Sequence, residues 1–277
     1  MLQRLGEMLM QDYVIVARES VFRVVECEAY LTSTSPSFPH IDSFAHGHPI
    51  QARPGEFYFH RAGNGINAKY KGGSFKGLDV TAGSGAVYCG ILIRGLSRLD
   101  PQSGADVADG LISGPCNVVH AILDATGCDS IDELVEGGMG GSLGVFDSLP
   151  VFGLRARDTP MVGEKVMATP RIGLTLAKAG NDPSLADFVA RKYRYVVARG
   201  VGKKKAYTIA GLLGDGLSVE AIAGLSNLSF SSKMLERTAA AWGEGFAAAD
   251  IVQFFGRSKL NAADLAHMLG AGHAHMA

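Results

Sequence analysis

The sequence predicts an α+β protein, with a strand-rich first part and an all-helical end, and three observations carry that expectation. At 277 residues, 47% of them hydrophobic and only 19% charged, the chain is long enough and apolar enough to bury a sizeable core. Its first hundred residues hold several short runs with strand texture, bounded by Gly, Pro and Ser. From Tyr207 the texture changes to alanine-rich pieces separated by Gly and Ser. With 36 glycines, many turns are expected between these elements.

Taken in order, Leu2, Leu5, Met8 and Leu9 fall at helical spacing. Tyr13 to Ala17 and Val21 to Tyr30 then read as two strands around the polar turn Arg18-Glu19-Ser20. Residues 31 to 53 hold Ser, Pro and His without a sustained period and read as a long loop, a class of segment that is often functional. Phe57 to His60, Gly77 to Thr81 and Ala86 to Leu96 are the next strands. The last is too continuously apolar to have a solvated face, which places it in the middle of the sheet. Val118 to Ala125 and Ile131 to Val135 read as short helices, and Gly137 to Gly144 as a loop or turn. Beyond 206, Ile209 to Leu212, Ile222 to Leu225, Ile251 to Phe254 and Leu265 to Met268 each suggest a small amphipathic helix. The expected division is a domain over 1–205 and a helical extension over 206–277.

Charge and cysteine usage narrow the function. Lys and Arg number 26 against 27 Asp and Glu, so no long-range field draws the molecule to polyanions, and any nucleic-acid role must rest on a local patch. The extension holds four basic and six acidic residues and reads as a packing or protein-partner surface, not a DNA-reading one. Cys27, Cys89, Cys116 and Cys128 form no C-x-x-C pair, so buried thiols in a reducing compartment are expected, and no metal site. No uninterrupted apolar run approaches the roughly 18 residues a membrane helix requires, and no leader pattern is present. The expectation is an intracellular, soluble protein without a membrane partner.

The densest set of candidate catalytic groups is Val24-Val25-Glu26-Cys27-Glu28-Ala29-Tyr30, because strand alternation puts Glu26, Glu28 and Tyr30 on one side. Two carboxylates among apolar neighbours suit a general base held out of bulk water, since burial and a nearby like charge both raise a carboxylate pKa. A polar strand face meeting solvent explains the same pattern.

Several landmarks occur in a fixed order: Val25 to Tyr30, a His-containing loop, Pro54-Gly55-Glu56-Phe57-Tyr58-Phe59-His60, Gly90 to Leu96, Ser113-Gly114-Pro115, Pro170-Arg171-Ile172-Gly173 and Tyr193-Arg194-Tyr195. Together they resemble the alkyladenine (3-methyladenine) DNA glycosylase family over roughly residues 2 to 197. The resemblance implies a curved antiparallel sheet edged by helices. It also implies a monofunctional hydrolase of base-excision repair that flips an alkylated or deaminated purine out of duplex DNA, without a cofactor. By position, Glu28 corresponds to the glutamate that activates water, and Arg94 to an arginine that holds that water or a phosphate. Tyr30 matches an aromatic that stacks on the base, and His40 the pocket histidine, with His46 and His48 competing for that place. His60 replaces a tyrosine and Asp79 an asparagine that discriminates bases.

Where the family carries a wedging tyrosine, this chain reads Arg61 to Asn67. The following Lys69, Tyr70, Lys71, Phe75 and Lys76 interleave charge with aromatics, so Tyr70 or Phe75 is a substitute intercalator or a residue tucked inward. Arg191 to Lys205 carries seven positive charges and no acid, ending in Lys203, Lys204 and Lys205, and reads as a phosphate track or a solvated face. Two further readings stay open: a binding module that kept the scaffold without the reaction, and an N-glycosidase acting on a free nucleoside or single strand.

Overall fold

The computed structural model describes residues 1–161, 163–202 and 204–277, and the chain divides into two compact units. The first comprises residues 1–41 and 45–164, the second 42–44 and 165–277. The helices after residue 206 thus belong to a unit that begins forty residues earlier.

The first unit is a curled antiparallel sheet with helices. It opens with helix α1 (Leu2–Gln11) and the hairpin β1 (Tyr13–Ala17) and β2 (Ser20–Ser33). The hairpin turns at Arg18, whose φ is 50°. A two-residue strand β3 (His40–Ile41), β4 (Phe57–Phe59), β5 (Leu78–Thr81), β6 (Val87–Leu99) and β7 (Asp106–Ser113) follow, then α2 (Pro115–Thr126) and β8 (Phe152–Ala156). Strand order is β4-β5-β6-β2-β1-β8, with β3 on β2 and β7 on β6. The two longest strands are therefore central. Phe22, Val24, Val25, Cys27 and Ala29 of β2 are all buried, as are Ile91, Ile93 and Leu96 of β6, so both faces of this ribbon are covered and the strands lack a solvated stripe. Two irregularities break the β2–β6 ladder between Val24 and Cys27. Such bulges bend a strand and re-aim side chains. On β7 only alternate residues are even half-buried, and the sequence offers no apolar run there, which is why pattern reading passed it over.

Helix α2 begins behind Gly114, whose φ of 101° lets the chain turn, with Pro115 at its first position. It ends at Gly127 in the left-handed conformation. The segment expected as a short helix near Ile131 is a π-helical turn, Glu133–Gly138.

The second unit holds the antiparallel pair β9 (Met167–Thr169) and β10 (Arg194–Val196), with α3 (Leu185–Val189) between them. Helices α4 (Lys205–Leu213), α5 (Val219–Ala223), α6 (Ser232–Ala248) and α7 (Ala262–Met276) complete it. Ser218, Ser231 and Asn261 cap α5, α6 and α7 by accepting backbone N–H bonds. Helices α6 and α7 cross through glycine: a Cβ on Gly245 would lie 2.0 Å from the His267 carbonyl, and one on Gly270 2.0 Å from that of Trp242. The core of this unit gathers Leu176, Val189, Ala210, Phe254, Met268 and Leu269. It also contains a fully buried ion pair. Arg171 donates to both oxygens of Asp42, at 2.6 and 3.1 Å, and lies under the rings of Phe44 and Tyr193.

Candidate active site

Register across the first unit places four side chains in one row. Glu28 on β2 opposes Leu92 on β6, Leu92 opposes Asp79 on β5, and Asp79 opposes Tyr58 on β4. The next row is Tyr30, Gly90 and Thr81. Opposed residues share a face, and so do residues two apart on a strand, so Glu28, Tyr30, Asp79, Tyr58 and His60 all stand on the same side of the sheet.

At one end of the row lies a carboxylate cluster. Glu28 is completely buried and Glu26 3% exposed. The Tyr30 hydroxyl donates to Glu28 Oε2 at 2.8 Å, and Arg94 Nη1 reaches the same oxygen at 3.3 Å. Arg94 Nε lies 3.5 Å from Glu26 Oε1, so one guanidinium bridges both carboxylates. The ladder irregularity makes this possible: Glu26 opposes Gly95 and Cys27 opposes Ile93, which leaves Arg94 between the paired positions. Its carbonyl is pinned by the Gly114 N–H at 2.7 Å. Burial acts against the charge on Arg94, but Glu28 and then Glu26 more than offset it and hold its pKa above the ordinary value. Strand alternation alone placed Glu26, Glu28 and Tyr30 together; their shared cation comes from the bulge.

At the other end, Asp79, 2% exposed, has both oxygens engaged. Gln51 Nε2 donates to Oδ2 at 2.9 Å, and His60 Nε2 lies 2.8 Å from Oδ1. The His60 ring packs on the Cα of Gly77, where a Cβ would come within 2.6 Å of its Nδ1 and Cε1. Between the two ends Gly90 contributes no side chain, and the Asp79 carboxylate and Gln51 amide lie over it. A Cβ there would sit 2.3 Å from Asp79 Oδ2 and 2.6 Å from Gln51 Nε2. Glycine inside an apolar strand signals such a close approach.

Histidines of the loop before β4 close the row. His46 Nδ1 and the Tyr58 hydroxyl are 2.6 Å apart, and His48 stacks on Tyr58 with centroids at 4.7 Å. Burial, then the charges of Lys71, His60 and His48, lower the pKa of His46. Burial also lowers that of His48, against a raising bond to the Gly65 carbonyl. Burial raises the Tyr58 phenol well above its usual range. His40 sits in β3 opposite Ser33, on the face of β2 away from Glu28, and stacks on Phe38 at 6.0 Å. Among the three competing histidines, it is therefore His46 and His48 that meet the row.

The loop between β4 and β5 separates its two aromatics. Tyr70 is tucked inward, with the Arg61 guanidinium 4.3 Å over its ring and Phe59 against its edge. Phe75, 74% exposed, projects from a short turn, while Ile66 earlier in the loop is half-exposed. Lys69 is exposed, Lys71 and Lys76 are half-buried, and Lys76 Nζ lies 2.8 Å from His120 Nε2 of α2. In the second unit the basic run is not a continuous track. Arg194 is fully buried and donates to Thr169 and Thr208, Lys192 pairs with Asp215 at 2.5 Å, and Lys205 bonds the Ser229 carbonyl. Lys204 is exposed; Lys203 lies outside the described residues.

Gln51 and Tyr58 went unnoticed in the sequence. Tyr58 was recoverable, since strand period puts it beside His60. Gln51 had no signal, because it joins Asp79 only through a 3₁₀ turn over Pro49–Ala52, which His48 caps.

Fold and site together define an α+β protein with a buried Glu–Arg–Tyr cluster facing an Asp–His pair along one sheet. No model of a known family matches the chain. It is 32% identical over 218 residues to "Uncharacterized protein L759" of Acanthamoeba polyphaga mimivirus, an alignment covering 74% of this chain and 89% of that protein. The chain belongs to the same family as this viral protein. Among the described residues, no helix is long and apolar enough to cross a membrane.

Proposed function

We propose that the protein is a monofunctional DNA glycosylase of the alkyladenine type, hydrolysing the N-glycosidic bond of a damaged purine flipped from duplex DNA. The observation that carries this reading is Glu28, a carboxylate with no solvent exposure whose one oxygen is held by Tyr30 and Arg94. Breaking such a bond develops an oxocarbenium-like centre at C1′, and the chemistry calls for a water, a carboxylate to take its proton and an aromatic clamp on the base. Glu28 is the general base. Arg94, which touches Glu28, orients the carboxylate and the water. Tyr30 and His60 line the base slot with His46, while exposed Phe75 is the wedge that fills the stack and Lys69, Lys71 and Lys76 meet phosphates.

Single-turnover release of 3-methyladenine and hypoxanthine from duplex DNA tests this. Glu28→Gln is expected to retain DNA affinity and lose base release by at least about 100-fold. Equal release by wild type and variant would remove the mechanism. Salt-insensitive binding would remove the DNA-binding part of the reading.

A further inference from the structure

We propose that the end of the first unit's sheet far from Glu28 holds a second binding site, for a small phosphate monoester that carries an apolar ring and a hydrogen-bond donor. The site is a cavity of about 420 Å³ lined by the β6–β7 turn and the end of β8, a size in the range that takes small organic ligands. Val21, one of its lining residues, precedes Glu28 by seven residues of β2, about 23 Å of extended strand. The proposal therefore stands apart from the glycosylase reading.

Register builds an apolar floor and a basic wall. Val21 opposes Leu99 on β6 and Val16 on β1, and Val14 opposes Arg155 on β8. Opposed residues share a face, as do residues two apart on a strand, so Val14, Val21, Leu99 and Arg155 stand together. The Arg157 N–H donates to the Asp12 carbonyl at 2.8 Å, which carries the ladder one residue past β8 and sets Arg157 on the same face. Two guanidinium groups are thus rooted about 7 Å apart beside an apolar surface.

Both arginines lack an anion. Among the described residues neither side chain makes a hydrogen bond or an ion pair, and Nε and Nη2 of Arg157 are buried without a partner. Nη1, which also lacks a partner, is not enclosed and is the atom a ligand meets. Asp106 and Glu164, the acids that act on Arg157, both bond Arg23 instead. Burial, then the charge of Arg23, hold the Arg157 pKa below its ordinary value, as befits a cation short of negative charge. A phosphate supplies that charge and matches the fork of a guanidinium. Across the cavity, Asp100 Oδ1 accepts from the Gln102 N–H at 3.1 Å and from the Ser103 N–H and hydroxyl at 2.7 and 2.8 Å. These bonds fix the turn and leave Oδ2 for a donor. Exposed Asp158 also lines the cavity. Two arginines and two aspartates face one space without pairing, so a bare anion gains little there. A phosphate on one side of an apolar ring and a donor on the other satisfy both walls.

Isothermal titration calorimetry of the full chain with 4-aminophenyl phosphate, phenyl phosphate and inorganic phosphate tests this. Affinity is expected to fall in that order, by at least about tenfold from first to last. Arg155→Gln and Arg157→Gln should each weaken 4-aminophenyl phosphate by at least about tenfold, the loss of one charge-assisted hydrogen bond, with urea midpoints showing that both variants fold. Binding of 4-aminophenyl phosphate no tighter than that of inorganic phosphate, or unchanged in both variants, overturns the proposal. A loss in Arg157→Gln alone, with a lowered urea midpoint, is a packing effect and overturns it too, since Arg155 is exposed and its replacement leaves the fold intact. If no probe binds and the two variants instead weaken binding of a duplex oligonucleotide, the arginines belong to a DNA-contacting surface and the small-ligand site falls.

Discussion

Replacing Gly90 with alanine probes the centre of the row without touching a proposed catalytic group. A Cβ there would sit 2.3 Å from Asp79 Oδ2 and 2.6 Å from Gln51 Nε2, both closer than any van der Waals contact allows. Asp79 is short, buried and hydrogen-bonded at both oxygens, so it moves only by giving up a bond. Overpacking a tight site costs about 1–3 kcal/mol, and losing a hydrogen bond to a buried charged group about 1.5–3 kcal/mol. The sum, about 2.5–6 kcal/mol, is a large fraction of the 5–15 kcal/mol that typically holds a domain together. Urea unfolding followed by circular dichroism reads this directly. Gly65→Ala, where nothing lies within 4 Å of the added carbon, is the control and should stay within about 0.5 kcal/mol. A double-mutant cycle with Asp79→Ala should show coupling of about 1–3 kcal/mol, because removing the carboxylate removes the closer of the two clashes and frees Gln51 from its bond to Asp79. Wild-type stability in Gly90→Ala, or a cycle with no coupling, would refute the claim that Asp79 and Gln51 lie over this strand.

His48 accepts the Ile50 N–H through Nδ1 and lies 3.3 Å from the Gly65 carbonyl through Nε2, a pattern that only the neutral ring with its proton on Nε2 satisfies. With His46 and His273 also held below the ordinary histidine pKa by burial, the unfolded chain binds protons below about pH 6.5 that the folded one refuses. Stability is then full above that pH and falls as pH drops toward the folded values, by at most about 1.4 kcal/mol per pH unit for each histidine. Urea midpoints at pH 7.5 and 5 measure the slope, which His46→Gln should flatten; a slope unchanged by that variant would show that His46 is not one of the groups responsible. In the second unit, Asp42→Ala removes the carboxylate that pairs with the fully buried Arg171 and should cost about 3–5 kcal/mol. The paired change Asp42→Leu with Arg171→Met should cost much less in the same assay, and equal losses would count against the ion-pair account.

Much of the site was legible because strand chemistry is local. Alternation along Glu26, Cys27, Glu28, Ala29 and Tyr30 sets both carboxylates and the phenol on one face wherever the strand goes, and the continuously apolar β6 announced its central place. Helix α6 was passed over, since Gly243 and Gly245 interrupt its pattern; it is stabilised by the close crossing with α7 that Gly245 permits. Arg194 reads as part of a basic run, a phosphate track or a solvated face, yet it is fully buried, as is Arg171. What makes an arginine internal is the partner the fold brings to it, here Thr169 and Thr208 for one and Asp42 for the other.

The amino-acid order by itself determined which residues could carry acid–base chemistry and which strand would hold Glu28, because side-chain type and period are properties of neighbouring residues. Only the tertiary structure decided their company. The bulge aims Arg94 at two carboxylates, and register sets Asp79 in the row of Glu28. A loop turn delivers Gln51 and His46. Those pairings join positions 28 to 66 residues apart between Gln51 and Asp79 and between Glu28 and Arg94, and no local pattern encodes them. They exist because closing the sheet buries these polar groups, and a buried polar group must find a partner.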